Sequence, residues 1–243
     1  MSPESTKVRI EVWPEGEWGA TVGARLANHL AAHPGLRLCL PTGNTPTPAY
    51  RAFAERGGRL DEAEVFLLDE FGLPPGHPAR CDEMLQRSLL GLIDTAPASM
   101  HSIDVATDDV DAACQQYDSE VAAGGLDLTV LGLGANGHLG LNEPGSEPDS
   151  PTRVIELHET TVTSAAAYGS GATPQWGVTL GMGPLLTSRE IWLLVTGAAK
   201  AEILHRALTG PIGPEVPASY LQTHSNAVVL ADHAAAMRFE TDS

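Results

Sequence analysis

The sequence predicts an α/β fold: a doubly wound, mostly parallel, Rossmann-like sheet with helices on both faces. Short runs of branched apolar residues alternate with longer runs whose apolar residues recur at helical spacing. The longer runs can serve as the crossovers that parallel strands require. Polar and glycine-rich segments follow several of the strand-like runs directly, at the strand ends where sheets of this kind bind ligands.

The elements follow in order. "KVRIEVW" (7–13) alternates polar and apolar as a strand does, and "EWGATVGARLANHLAAH" (17–33) reads as a helix. "LRLCLPTG" and "VFLLDEF" read as buried strands, with "TPTPAYRAFAERG" between them as a helix opened by Thr45 with Pro46 in its first turn. "DDVDAACQQYDSEVAAGG" is helical and "LDLTVLGLG" a strand; "EIWLLVTG" then feeds the helix "KAEILHRALTG", and "NAVVLAD" is the final strand. The segment from "SEPDSPT" to "AAAYGSGATPQWG", about 146–177, is small and glycine-rich and is expected to be a lid within a single domain spanning 1–243.

Composition narrows the function. With 243 residues and 42% hydrophobic content the chain can bury one sizeable core. Lys and Arg total 14 against 31 Asp and Glu, a net charge of −17, so nucleic acid and anionic membranes are not expected partners. A small anion remains compatible, given a local pocket of backbone N–H groups and a cation. The three cysteines Cys39, Cys81 and Cys114 form no Cys-x-x-Cys pair, the N-terminus lacks a signal-peptide pattern, and no apolar run would span a bilayer; a cytoplasmic location is expected.

Four strand ends deliver "PTGNT" (41–45), "DEF" (69–71), "GLGANGH" (132–138) and "TGAAK" (196–200) to one sheet edge, which argues for a single site. Gly43 and Thr45 stand where a strand turns into a helix, a place that suits phosphate or an ordinary cap. Asp69 and Glu70 follow a buried run, so each needs a partner or a role in proton transfer. "GLGANG" matches G-x-G-x-x-G, but Pro144 and Gly145 prevent the helix that a dinucleotide site requires. There is no Walker phosphate loop and no His-Glu-x-x-His pair. His138, with Asn136 and Glu143 nearby, can take part in acid–base chemistry. Lys200 opens a helix, where a cation opposes the dipole unless an anion offsets it.

With these residues in place, the chain resembles the glucosamine/galactosamine-6-phosphate deaminase/isomerase family of the 6-phosphogluconolactonase superfamily. The motifs are "LPTGNTP", "LLDEFGLP", "GLGANGHLGLNEPG", "GVTLGMGPLL", "LLVTGAAK" and "PASYLQTHSN", of which "GHLGLNEPG" is the most specific. The segment "VLGLGANGHLGLNEPG" and the ending "PASYLQTHSN" make it most similar to galactosamine-6-phosphate isomerase. The resemblance implies catalytic roles for Asp69, His138, Glu143 and Asn136: Asp69 moves a proton between C2 and C1, His138 assists ring opening and Glu143 orients it. It implies substrate and phosphate contacts at Thr42, Gly43, Asn44, Thr45, Glu70, Gly137 and Lys200. The implied reaction isomerises and deaminates a hexosamine 6-phosphate, ending in hydrolysis of a C–N bond, without metal or cofactor. Galactosamine 6-phosphate would give tagatose 6-phosphate and ammonia. The alternatives are glucosamine-6-phosphate deaminase, 6-phosphogluconolactonase and a non-catalytic sugar-phosphate sensor, with a homo-oligomer left open.

Two departures from the family pattern stand out. Asn136 replaces the aspartate of Asp-Gly-His, and an amide can hold the imidazole by a hydrogen bond but lends it no charge. The family's lid arginine has no clear counterpart in "TVTSAAAYGSGATPQWG", which leaves three alternatives: a weaker hold on phosphate, a substitute in Arg153, or one from a neighbouring chain.

Overall fold

A computed structural model describes residues 8–166 and 173–239. Its strands are β1 (Arg9–Trp13), β2 (Arg37–Leu40), β3 (Glu64–Leu67), β4 (Asp69–Phe71), β5 (Ser99–His101), β6 (Leu128–Gly132), β7 (Arg153–Glu156), β8 (Trp176–Thr179), β9 (Glu190–Val195) and β10 (Ala227–Asp232). The helices are α1 (Glu15–Ala32), α2 (Thr47–Glu55), α3 (Cys81–Ser88), α4 (Val110–Ala122), α5 (Glu159–Ala166), α6 (Met182–Leu186), α7 (Ala201–Thr209) and α8 (His233–Ala236). Seven strands form one sheet in the order β1-β10-β9-β6-β2-β3-β5, and every pairing in it is parallel.

Alternation along the central strands splits the core in two. Leu38, Leu40, Val65, Leu67, Leu128, Val130, Trp192 and Leu194 point to one face, where α1, α2 and α3 cover them. Cys39, Phe66, Leu131, Leu193 and Val195 point to the other, under α4, α6, α7 and α8. Each leucine or phenylalanine fully buried this way stabilises the fold by about 2 kcal/mol. Helix α1 contributes Trp18, Val22, Leu26 and Leu30, one residue per turn. It can lie close to α2 because Gly23 has no side chain: a Cβ there would stand 2.5 Å from the Ala49 carbonyl.

Chain order reverses direction beside β2. The chain moves outward from β2 to β3 and β5, then returns to the other side of β2 with β6, β9 and β10. The carboxyl ends of β2 and β6 therefore flank the topological switch point, where open α/β sheets leave a crevice.

Several details depart from the sequence reading. "VFLLDEF" is not one strand. Leu68 donates its N–H to the Leu40 carbonyl and accepts from Leu180, so the chain passes at this residue from the parallel sheet into a second, three-stranded antiparallel sheet of order β4-β8-β7. Helix α2 starts at Thr47 rather than Thr45, with Pro46 at the N-cap position and the Thr47 hydroxyl donating to the Gly43 carbonyl at 2.8 Å. The expected lid holds β7, α5 and the start of β8; its residues 167–172 lie outside the described residues. No described helix is long and apolar enough to cross a membrane.

Candidate active site

A cavity of about 330 Å³ opens at the switch point. Its wall is built from the ends of the four predicted strands: Thr42, Asn44 and Thr45 after β2, Asp69 after β3, Gly132 at the end of β6 with Leu133 to Ala135 and His138 beyond it, and Lys200 after β9. Asp69 and His138 thus share one cavity. Helices α3 and α5 close the sides with Cys81, Met84, Thr161, Ser164 and Ala165.

Asp69 begins β4 opposite Thr179 and is 9% exposed. Burial pushes its carboxyl up to about 6, against the opposing pull of the Cys81 thiol and His138. Gly140, at φ +60°, brings backbone beside it; a Cβ there would lie 3.4 Å from the Asp69 Oδ2.

His138 stands on the loop after β6. Its imidazole lies against Gly134, whose missing Cβ would meet ring atoms at 2.3 to 2.4 Å, so only glycine admits the ring there. The His138 Nδ1 is 3.4 Å from Glu143 Oε2 and 3.4 Å from the Thr161 hydroxyl. With Nδ1 occupied, Nε2 is the ring nitrogen left for a ligand in the cavity.

Glu143 is held by several donors. Its Oε1 accepts from the Thr161 hydroxyl at 2.5 Å and the His158 N–H at 3.3 Å, and its Oε2 accepts from the Asn136 Nδ2 at 2.7 Å. Burial works against its charge, yet His138, Thr161 and Asn136 together hold the carboxyl down at about 2. Asn136 was expected to hold the imidazole. Its amide instead grips Glu143, and its Oδ1 accepts the His138 backbone N–H at 3.2 Å.

Lys200 ends a 3₁₀ turn, Ala198–Lys200, immediately before α7. Burial lowers the pKa of its ammonium, and it makes no ion pair among the described residues, leaving a desolvated cation at the cavity wall.

Other expected site residues lie elsewhere. Glu70, expected to bind substrate, is 1% exposed and absent from the cavity wall: it accepts N–H bonds from Phe71, Cys81 and Asp82 and pairs with Arg80 at 3.3 Å. It is the capping carboxylate of α3. Gly43 and Gly137 also stand behind the wall, at φ +100° and +90°, turning the loops that carry their neighbours. The Arg153 guanidinium is engaged by Asn142 at 2.9 Å and Ser146 at 2.8 Å, which ties β7 to the loop carrying Glu143 rather than serving the cavity. Sequence reasoning missed Thr161, Gly134 and Cys81. Gly134 lay inside a motif already singled out, whereas Thr161 and Cys81 reach the site only through tertiary packing. Among the described residues no cluster of His, Cys, Asp or Glu could hold a metal ion.

Comparison with known proteins gives this geometry a family. The profile described as glucosamine-6-phosphate isomerases/6-phosphogluconolactonase matches residues 17–230. A glucosamine-6-phosphate deaminase of Rhodopirellula baltica is 38% identical over 238 residues, covering 94% of this chain and 95% of that one. A protein of the same name from Pseudarthrobacter chlorophenolicus is 40% identical over 214 residues, covering 85% of this chain and 83% of the relative. Among solved structures, a monomeric glucosamine-6-phosphate deaminase superposes with a TM-score of 0.89 at 31% identity, covering 95% of this chain and 99% of that one. The 6-phosphogluconolactonase of Trypanosoma brucei superposes with a TM-score of 0.77 at 20% identity, covering 96% and 99%, a likeness of fold alone. The chain therefore belongs to the glucosamine-6-phosphate isomerase/6-phosphogluconolactonase family.

Proposed function

We propose that this protein is a deaminase/isomerase of a hexosamine 6-phosphate, with Asp69 as the proton carrier and His138 as the ring-opening residue. The observation that carries the reading is that Asp69 and His138 share one cavity and are backed by oppositely tuned carboxyls: Asp69 itself near 6, able to gain and lose a proton, and Glu143 near 2, charged behind His138. Thr42, Asn44, Thr45 and Lys200 offer hydroxyls, an amide and a cation to the phosphate.

The chemistry follows from those roles. Glu143 accepts from Nδ1 and so directs Nε2 at the sugar ring, where the imidazole relays a proton between the ring oxygen and the C1 oxygen as the ring opens. Ionised Asp69 then takes the C2 proton, leaving an enolamine, and returns it to C1. The C2 iminium so formed adds water and expels ammonia, and the product is a ketose 6-phosphate.

The names of the relatives favour glucosamine 6-phosphate as substrate, which would yield fructose 6-phosphate. The second reading is galactosamine 6-phosphate, and its support is Asn136 in place of the aspartate of glucosamine-type enzymes. Side-by-side assays of ammonia and ketose phosphate on both hexosamine phosphates test the proposal. Equal molar release of the two products from at least one of them is expected. Hydrolysis of 6-phosphogluconolactone with neither hexosamine phosphate consumed would overturn the proposal, as would binding without turnover.

A further inference from the structure

Cys81 has no place in the chemistry above, yet it lines the cavity beside the proton carrier. Cys81 is 1% exposed at the first position of α3, in the cavity wall that it shares with Asp69 and Thr42, and its thiol interacts with both side chains. Its backbone is fixed by the Glu70 carboxylate, which accepts the Cys81 N–H at 2.7 Å and the Asp82 N–H at 3.1 Å while Arg80 closes the network from the other side. Burial drives the thiol pKa well above its ordinary value, so the sulfur keeps its proton and is no nucleophile. A protonated thiol in this position is a hydrogen-bond donor, and a weak one.

We propose that Cys81 is a positioning residue for Asp69: its S–H donates to the Asp69 carboxylate, and this weak donor sets how basic the carboxylate is. The inference rests on Asp69 as the proton carrier. The titratable groups that act on Asp69 are His138 from the loop after β6, Cys81 from α3, Cys39 from β2 and Tyr117 from α4. Cys39 and Tyr117 are buried and hold their protons, so His138 and the thiol are the groups that stabilise the anion. A hydroxyl in place of the thiol would stabilise it more strongly, and a methyl not at all.

The test measures the Asp69 pKa in full-length wild type, Cys81→Ser and Cys81→Ala by carboxyl-carbon NMR titration, with the resonance assigned through Asp69→Asn. The serine variant is expected to lower the pKa and the alanine variant to raise it, each by about half to one unit. The acid limb of kcat/KM should move the same way. An unchanged pKa in both variants, or shifts of the same sign, would overturn the inference, and thermal melts identify a variant that is unfolded rather than retuned. Because the NMR titration needs no substrate, a failed ammonia assay would count against the proposed function while leaving the role of Cys81 to be judged on its own.

Discussion

Asp69 lines the cavity and Glu143 stands behind His138, and the two have almost equal solvent exposure, 9% and 8%, yet one carboxyl is pushed up to about 6 and the other held at about 2. Exposure does not separate them. Asp69 is more deeply surrounded by protein, and only the Cys81 thiol and His138 oppose that burial. Glu143 collects an amide, a hydroxyl, a backbone N–H and an imidazole. Counting donors tells which carboxylate can exchange a proton and which serves as a fixed charge that aims its neighbour.

The most severe way to break this contrast is Asp69→Asn, which leaves shape and burial but removes the exchangeable proton. Release of ammonia should fall by about 10³-fold or more. Stability should move the other way. The folded pKa of Asp69 lies above the unfolded 3.8, so its ionised form costs the native state stability above about pH 6 and nothing below about pH 4. The variant should gain up to about 3 kcal/mol at pH 7, and the gain should vanish near pH 4, as denaturant titrations at the two values would read. A variant that kept its rate would place the proton carrier elsewhere.

Glu143→Gln probes the other side and should do less to the rate. The neutral amide can still contact His138 but supplies no charge, so a loss of kcat of about 10²-fold with a nearly unchanged KM is expected. Its linkage has the opposite sign from that of Asp69. The folded pKa lies below the ordinary 4.5, so the native state gains stability from ionised Glu143 above about pH 4.5 and loses it as pH falls toward 2. The variant should be less stable than wild type by up to about 3 kcal/mol at neutral pH, with the gap closing in acid. A gap that persisted undiminished at pH 2 would show that packing, not charge, is what glutamine disturbs.

The same contrast marks how far the sequence could be read. The parallel sheet and the four strand ends at the cavity follow from short-range patterns: apolar runs of strand length, helical spacing between them, and polar residues where each strand stops. Leu68 shows where that reading ends. Nothing local distinguishes it from Leu67, and only its bonds to Leu40 and Leu180, one in each sheet, reveal that the chain changes sheets there. Glu70 differs for a related reason: its partners Cys81 and Asp82 arrive from a helix eleven and twelve residues on, and they turn away from the cavity a carboxylate to which the family resemblance had given a substrate contact. Thr161 was invisible because its role depends on α5 docking against Glu143, a tertiary contact without a sequence signature.

Asn136 gives the finest test, and the smallest expected effect. Its amide lies behind Glu143 and outside the cavity wall, so any influence on the choice between hexosamine epimers must pass through Glu143 and His138. Asn136→Asp would set a second carboxylate within 2.7 Å of the Glu143 Oε2, where two negative charges cannot both persist and one proton must be shared. That change alters the charge behind His138 equally for both sugars. The expected outcome is a loss of about tenfold or less in kcat/KM for galactosamine and glucosamine 6-phosphates alike, with their ratio held within about twofold. A ratio that moved by more than tenfold would mean that residue 136 reaches the epimeric hydroxyl directly, and the galactosamine reading would then gain the specificity contact it now lacks.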